Sequence, residues 1–380
     1  MQRHLALAGL YLAVCIAMIG MSMAGVAMPQ YYIQLSGSIN AAGWLSSCFA
    51  VSYMVCQYPA GFLADRFGYR CVLALGFLLM AAAAGVFLMA DSAMGLYLGR
   101  FLQGAGEAPV WASAPALLGR LYPEARGRVM GGYNAIFHFG MILGPIIIMQ
   151  QSAVLGTTAF TVFAWLCIIA TILVVMTVHA VPSSTKSSGE QYRLADMTQS
   201  LKFLASGIVL CGAVYGLVTS SIPVHLATSL GLSQHAIAIF YIKVFSGIAV
   251  AQSCIGSLSD RYGRSPFFTV GLALLAVGLW GLLSDSSRWF DFAPLVFGFG
   301  LGTFTVSSLA LVNESVLPGN QGKASGYYYL IWGCGYFLGP LVINAVGITF
   351  GGNLLIGCLL GTMFLLLRYG RRQQERVHQS

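Results

Sequence analysis

Charge is what this sequence has least of. Asp, Glu, Lys and Arg make up 8% of the 380 residues, beside 58% hydrophobic ones, whereas a water-soluble domain carries about 25% charged residues. A chain so poor in charge does not have water as its main solvent. Organised cysteine chemistry is missing too. Nine cysteines stand at unrelated spacings in or beside apolar runs, with no Cys-x-x-Cys pair, and such an odd set argues against a disulfide framework or a zinc site. No nucleophile–base pair, metal-ligand spacing or phosphate-cradling loop is visible, so the sequence suggests no enzyme, no cofactor and no use of ATP. A large soluble domain is also lacking, which speaks against a membrane receptor or scaffold.

What is present is apolar sequence in long runs. Segments near the ~20 residues needed to cross a bilayer fall at about 6–28, 41–64, 71–90, 94–118, 128–150 and 158–180, then at about 203–223, 235–258, 267–284, 291–313, 324–346 and 350–368. The first is too long for a signal-peptide core and is followed by others like it, so it is kept as a helix. The pattern predicts an all-α membrane protein with twelve transmembrane helices in two pseudo-symmetric six-helix bundles. The first half covers 1–181 and the second 201–370, with a linker at 182–200 and a tail at 371–380. The stretch Val181–Gln199 contains Pro-Ser-Ser-Thr-Lys-Ser-Ser-Gly-Glu and is the longest polar segment, which suits a flexible linker.

The basic residues set an orientation. With both termini in the cytoplasm, all but Arg100, Lys243 and Arg288 of the nineteen Lys and Arg residues fall on the inner side. That is the positive-inside bias, and it explains the net charge of +8 without nucleic acid. A bacterial cytoplasmic membrane is the expected location, with membrane lipid as the solvent of the spans.

Two polar turns between apolar runs repeat one another. Gly61–Arg70 reads Gly-Phe-Leu-Ala-Asp-Arg-Phe-Gly-Tyr-Arg and Gly256–Ser265 reads Gly-Ser-Leu-Ser-Asp-Arg-Tyr-Gly-Arg-Ser, a shift of 195 positions. The shift holds further on. Arg126–Ile148 and Gln321–Ile343 share nine of 23 positions, among them Gly140/Gly335, Gly144/Gly339 and Pro145/Pro340. A parallel repeat of this kind is the trace of two equivalent halves. With these turns the chain resembles the major facilitator superfamily of membrane transporters, over essentially its whole length. That family carries a G-x-L-x-D-R-x-G-R/K loop between its second and third spans and a weaker copy between the eighth and ninth.

The resemblance implies roles for several residues. Asp65, Arg66 and Gly68, with Asp260 and Arg261 in the second copy, would serve conformational gating. Asp65 would meet the amino end of the eleventh span near Gly322–Gly326, where a carboxylate is favoured by about 0.3–1 kcal/mol. In the fifth span Gly131, Gly140 and Gly144-Pro145 resemble the glycine motif of the exporters in this superfamily, except that Ile148 and Met149 replace its last two glycines. Gly339 and Pro340 repeat that pattern, and all four Gly-Pro residues are candidates for gating.

The fourth span carries Gly-Arg-Phe-Leu-Gln-Gly-Ala-Gly-Glu from Gly99 to Glu107. Arg100, Gln103 and Glu107 stand at i, i+3 and i+7, one helical stripe. Ionisable groups inside a membrane are costly and face cavities or partners, so they are functional candidates. Burial disfavours the charged form of a carboxyl, which suits a group that takes up and releases a proton. The resemblance adds a fourth-span R-x-x-Q-G-x-G pattern linked to proton transfer. Glu107 and Arg100 are therefore the candidates for proton coupling. Gln103, Asn134, His138, Tyr215 and Lys243 join them as candidate cavity residues.

Together these features point to a secondary transporter, expected as a monomer, that exports a small organic molecule in exchange for protons by alternating access. The alternative is proton-coupled import of an organic anion, such as a metabolite or siderophore. It rests on Arg100 and Lys243 outnumbering Glu107 within the spans.

Overall fold

The computed structural model describes residues 2–36, 41–122, 126–150, 156–178, 199–284, 287–314 and 321–379. The expected linker 182–200 lies outside them but for its last two residues. Among the described residues every expected apolar run is helical, as a bilayer requires of chains that must satisfy their backbone groups internally. The helices are α1 (Gln2–Ser36), α2 (Gly43–Phe67), α3 (Tyr69–Met89), α4 (Ala93–Leu121), α5 (Arg126–Met149), α6 (Gly156–Thr177) and α7 (Gln199–Gly216). They continue with α8 (Ile222–Thr228), α9 (Gln234–Tyr262), α10 (Arg264–Leu283), α11 (Ser287–Glu314), α12 (Gln321–Val346) and α13 (Ile348–Gln379). The last continues as helix through the residues read from sequence as a tail.

Ten described helical segments are long and apolar enough to cross a membrane. The protein is thus an all-helical integral membrane protein. Helices α2 and α4 fall outside those ten, although the 29 residues of α4 would rise roughly 44 Å. Arg100, Gln103 and Glu107 dilute its apolar content.

Two compact units organise the chain. The first comprises Met1–Gly189 with Val218–Ile242, the second Glu190–Leu217 with Lys243–Ser380. In the first, α1 packs on α5 and α6, and α3 and α2 each pack on α4. In the second, α7 packs on α12, and α10 packs on α11 and α13.

The repeated sequence produces repeated packing inside each unit. Gly68 sits between α2 and α3 with φ 87° and ψ 150°, and Gly263 sits between α9 and α10 with φ 89° and ψ 157°. Only glycine adopts such angles without strain, so each turn reverses the chain within one residue. Where α5 crosses α1, a Cβ on Gly140 would lie 2.6 Å from the Cys15 carbonyl oxygen and 2.8 Å from Met18 Cβ. Where α12 crosses α7, a Cβ on Gly335, the counterpart of Gly140, would meet the backbone of Val209 and Ala213, and one on Gly339, the counterpart of Gly144, would lie 2.6 Å from Ala213 Cβ. Gly76 and Gly271, again 195 apart, play the same part where α3 meets α4 and α10 meets α11. In each crossing the absence of a side chain lets two backbones touch.

The seventh expected run is not one continuous α-helix. It passes from α7 through a π turn, Leu217–Ser221, into α8. Pro223 has no N–H, so the carbonyl four residues back, that of Thr219, loses its helical donor. The Tyr241 hydroxyl donates to that carbonyl at 3.1 Å.

The crossings can be tested by overpacking. Gly140→Val and Gly339→Val should each destabilise the protein by about 1–3 kcal/mol, the usual effect of forcing methyl groups into a closed contact. Gly61→Ala, where nothing lies within 4 Å, should stay within about 1 kcal/mol of wild type or gain from helix propensity. Thermal unfolding in detergent is the measurement, and equal melting of all three variants would contradict the packing account.

Candidate functional site

The stripe expected on the fourth span is held in a fixed rotation. Three glycines of α4 fit against its neighbours. A Cβ on Gly106 would meet Gly76 and Met80 of α3, one on Gly99 would meet Phe87 of α3, and one on Gly104 would meet Phe49 and Ser52 of α2. With those positions locked, Arg100, Gln103 and Glu107 cannot turn towards lipid without opening both contacts.

Arg100 and Gln103 are brought together. The Arg100 Nε–H donates to the Leu45 carbonyl at 2.8 Å and a terminal nitrogen donates to Gln103 Oε1 at 2.8 Å. The guanidinium also lies over the Phe49 ring, 4.6 Å from its centroid, and Phe49 stacks on Tyr53. Gln103 is 2% exposed. Among the described residues no carboxylate is ion-paired with Arg100. Its side chain lines a cavity of about 30 Å³ with Gln103, Thr219, Ser220, Gly25 and Leu45, room for a water or two.

Glu107 lies further along the stripe, 5% exposed. One of its oxygens accepts a 2.9 Å hydrogen bond from the Trp111 indole N–H. The other is buried and has no hydrogen-bond partner among the described residues. Trp111 contacts Phe137 (4.9 Å between centroids) and Tyr133 (6.1 Å, edge-on). Phe137 in turn stands edge-on to His138, whose Nδ1–H donates to the Asn134 carbonyl at 2.8 Å. Glu107 thus reaches the Asn134–His138 turn of α5 through aromatic rings.

The other candidates have their own surroundings in the second unit. Lys243 donates to Asp291 at 3.0 Å, so its charge has a partner. Tyr215 packs against Trp332 and Tyr336. In the repeated turn, Asp260 is ion-paired with Arg264, which also donates to Glu314 at 2.6 and 3.1 Å and to Ser259 at 2.7 Å. Arg66 and Arg261 each lie over the next ring in sequence, Phe67 and Tyr262. The side chain of Asp65 and those of Gly322–Gly326 lie outside the described residues. Among the described residues no group of three His, Cys, Asp or Glu side chains is placed to hold a metal.

Sequence reasoning missed Trp111, Thr219 and Ser220. Trp111 had a signal, since it stands at i+4 from Glu107 and so on the same face. The two hydroxyl residues come to the cavity through the π turn, which periodicity does not foretell.

This site sits on a chain that the family model of the Major Facilitator Superfamily matches over residues 10–205 and again over 204–380. The chain belongs to that superfamily. Similar proteins include an MFS-type transporter of Enterobacter sp. (strain 638), 25% identical over 352 residues covering 86% of this chain and 84% of that protein. The MFS-type transporter YcaD of Escherichia coli is 25% identical over 361 residues, covering 90% and 88%. Solved structures with the same fold include the nucleoside transporter NupG, with TM-score 0.73, 12% identity and coverage of 96% of this chain and 98% of that one. The human organic anion transporter MFSD10 has TM-score 0.71, 15% identity and coverage of 96% and 99%. Membership in the superfamily makes the chain a secondary transporter of a small molecule and not an enzyme.

The Trp111–Glu107 bond gives a prediction. Trp111→Phe keeps a ring against Phe137 and Tyr133 but removes the only donor that Glu107 has in the described residues. It should destabilise the protein by about 1–3 kcal/mol, the penalty of stranding a buried acceptor. In a double-mutant cycle with Glu107→Leu, which removes that acceptor, the two effects should be less than additive. Full additivity in thermal unfolding would mean that the bond does not couple the two side chains.

Proposed function

We propose that this superfamily member is a proton-coupled exporter of a small organic molecule working by alternating access. The observation that carries this reading is Glu107, a carboxyl buried in a membrane helix with one oxygen unpartnered. Charge is costly in such a place, and a proton bound at the open oxygen renders the group neutral. Loss and gain of that proton give the site two electrostatic states, each favouring a different occupant of the stripe. Arg100, two turns away on the same helix, is the charge that the ionised form would answer.

In this reading the chain is a monomer of twelve spans in two six-helix halves, 1–181 and 201–370, in the bacterial cytoplasmic membrane with both termini inside. Gly144-Pro145 and Gly339-Pro340 serve as bending points, and Asp65, Arg66 and Gly68 with Asp260 and Arg261 as gating turns. The export direction rests on the fifth-span glycine pattern. Solved neighbours are described as nucleoside, organic anion and peptide transporters, which fits a scaffold for polar organic solutes.

A second reading, proton-coupled import of an organic anion, is favoured by one observation: Arg100 has no carboxylate paired with it in the described residues. Lys243 adds less to it, being paired with Asp291.

Both readings need Glu107. In everted and right-side-out vesicles under an imposed pH difference, Glu107→Gln should abolish gradient-driven accumulation or efflux while counterflow of substrate without a gradient persists. A mutant that builds the same gradient as wild type would show that the proton travels elsewhere. The vesicle orientation that accumulates substrate decides between export and import.

A further inference from the structure

The cavity beside Arg100 has a polar side and an open side. Arg100 contributes a guanidinium with five N–H donors, and two of these are used, one on the Leu45 carbonyl and one on Gln103. Those two bonds and the Phe49 face fix the plane of the group. Its remaining donors have no hydrogen-bond partner among the described residues. Thr219 and Ser220 bring hydroxyl-bearing side chains to the same cavity. Gly25 also lines the cavity, and a Cβ built there would meet nothing within 4 Å.

A cation in a membrane protein without an acidic partner is expensive to keep. Among the described residues no carboxylate is ion-paired with it, and the acceptors that orient it are neutral. A guanidinium presented in this way matches a planar oxyanion, which takes two parallel N–H bonds from it. The cavity volume of about 30 Å³ admits an anionic head but not a whole solute, so the body of the ligand would extend past Gly25.

We infer that the transported molecule is a carboxylate-bearing organic anion whose carboxylate docks on Arg100 in this cavity. The inference rests on the transporter reading above and is independent of direction and of proton coupling. Gln103 is a positioning residue in it, holding the guanidinium plane. Thr219 and Ser220 complete the cradle from the π turn.

The test is equilibrium binding to the full-length protein in nanodiscs of phosphatidylcholine, with benzoate and acetate as probes and benzamide as the neutral counterpart of benzoate. Calorimetry should show carboxylate binding with benzamide at least tenfold weaker. Arg100→Gln should weaken benzoate by about 10–100-fold, the worth of a charge-assisted pair. Arg100→Lys should recover part of the loss, because it keeps charge without the fork. Gly25→Leu replaces no residue bonded to Arg100 and should block binding by filling the space beside it, which keeps the inference testable even where an Arg100 variant folds poorly.

Benzamide binding as tightly as benzoate, or undiminished benzoate binding by Arg100→Gln, would overturn the inference. So would the absence of binding by both carboxylates. Inorganic phosphate competing as well as benzoate would reduce the cavity to an unselective anion site. Competition seen only with phosphatidylglycerol in the discs would assign it to a lipid headgroup. Because no gradient is applied, failure of proton coupling in vesicles leaves this result unaffected. Gradient-driven transport of neutral or cationic solutes by a protein that binds no carboxylate would sink the inference and spare the transporter reading.

Discussion

Helices in a bilayer gain little from the hydrophobic effect when they meet, since lipid tails are as apolar as their own side chains. What holds them is the closeness of packing, and here closeness is set by glycines at repeated positions. Gly140 against Cys15 and Met18, and its counterpart Gly335 against Val209 and Ala213, place backbone on backbone in the two units. Gly76 and Gly271 do the same for α3 with α4 and α10 with α11. The sequence repeat is therefore a repeat of contacts.

The functional stripe depends on the same constraint. Helix α4 is touched by α3 at Gly99 and Gly106 and by α2 at Gly104. Those contacts decide which way Arg100, Gln103 and Glu107 face, before any polar interaction is made. Only then do the Leu45 carbonyl, Phe49 and Trp111 refine their orientation. Polar groups in this site are aimed by packing and trimmed by hydrogen bonds. That order explains why a helix too polar for a simple span criterion is nevertheless packed on both α2 and α3.

Much of this was readable in the residues. Run lengths near the bilayer thickness located most helix ends to within several residues, though α1 runs on to Ser36 and α13 to Gln379, and the period of 195 located the turns at Gly68 and Gly263 and the paired glycines. The stripe on α4 followed from spacing alone. Partner choice was less legible, because it depends on which chains lie across a contact. Nothing local to Lys243 announces Asp291, 48 residues away, and nothing near Arg264 announces Glu314. Trp111 falls between these cases: its i+4 spacing to Glu107 is visible in the sequence, but not that its indole N–H turns to the carboxyl.

The break in the seventh run shows how a local rule acquires a distant consequence. A proline at position 223 removes one backbone donor, and the freed Thr219 carbonyl must be answered elsewhere. The Tyr241 hydroxyl answers it from α9, and the Thr219 hydroxyl lies 3.4 Å from that of Ser46 on α2. This buried turn is thereby tied to two neighbours. Wide turns of this kind are frequent at functional sites, and this one carries Thr219 and Ser220 to the cavity of Arg100. The same proline that interrupts the helix thus supplies the site with its hydroxyl side, and a continuous α-helix through 217–221 would present a different set of side chains to Arg100.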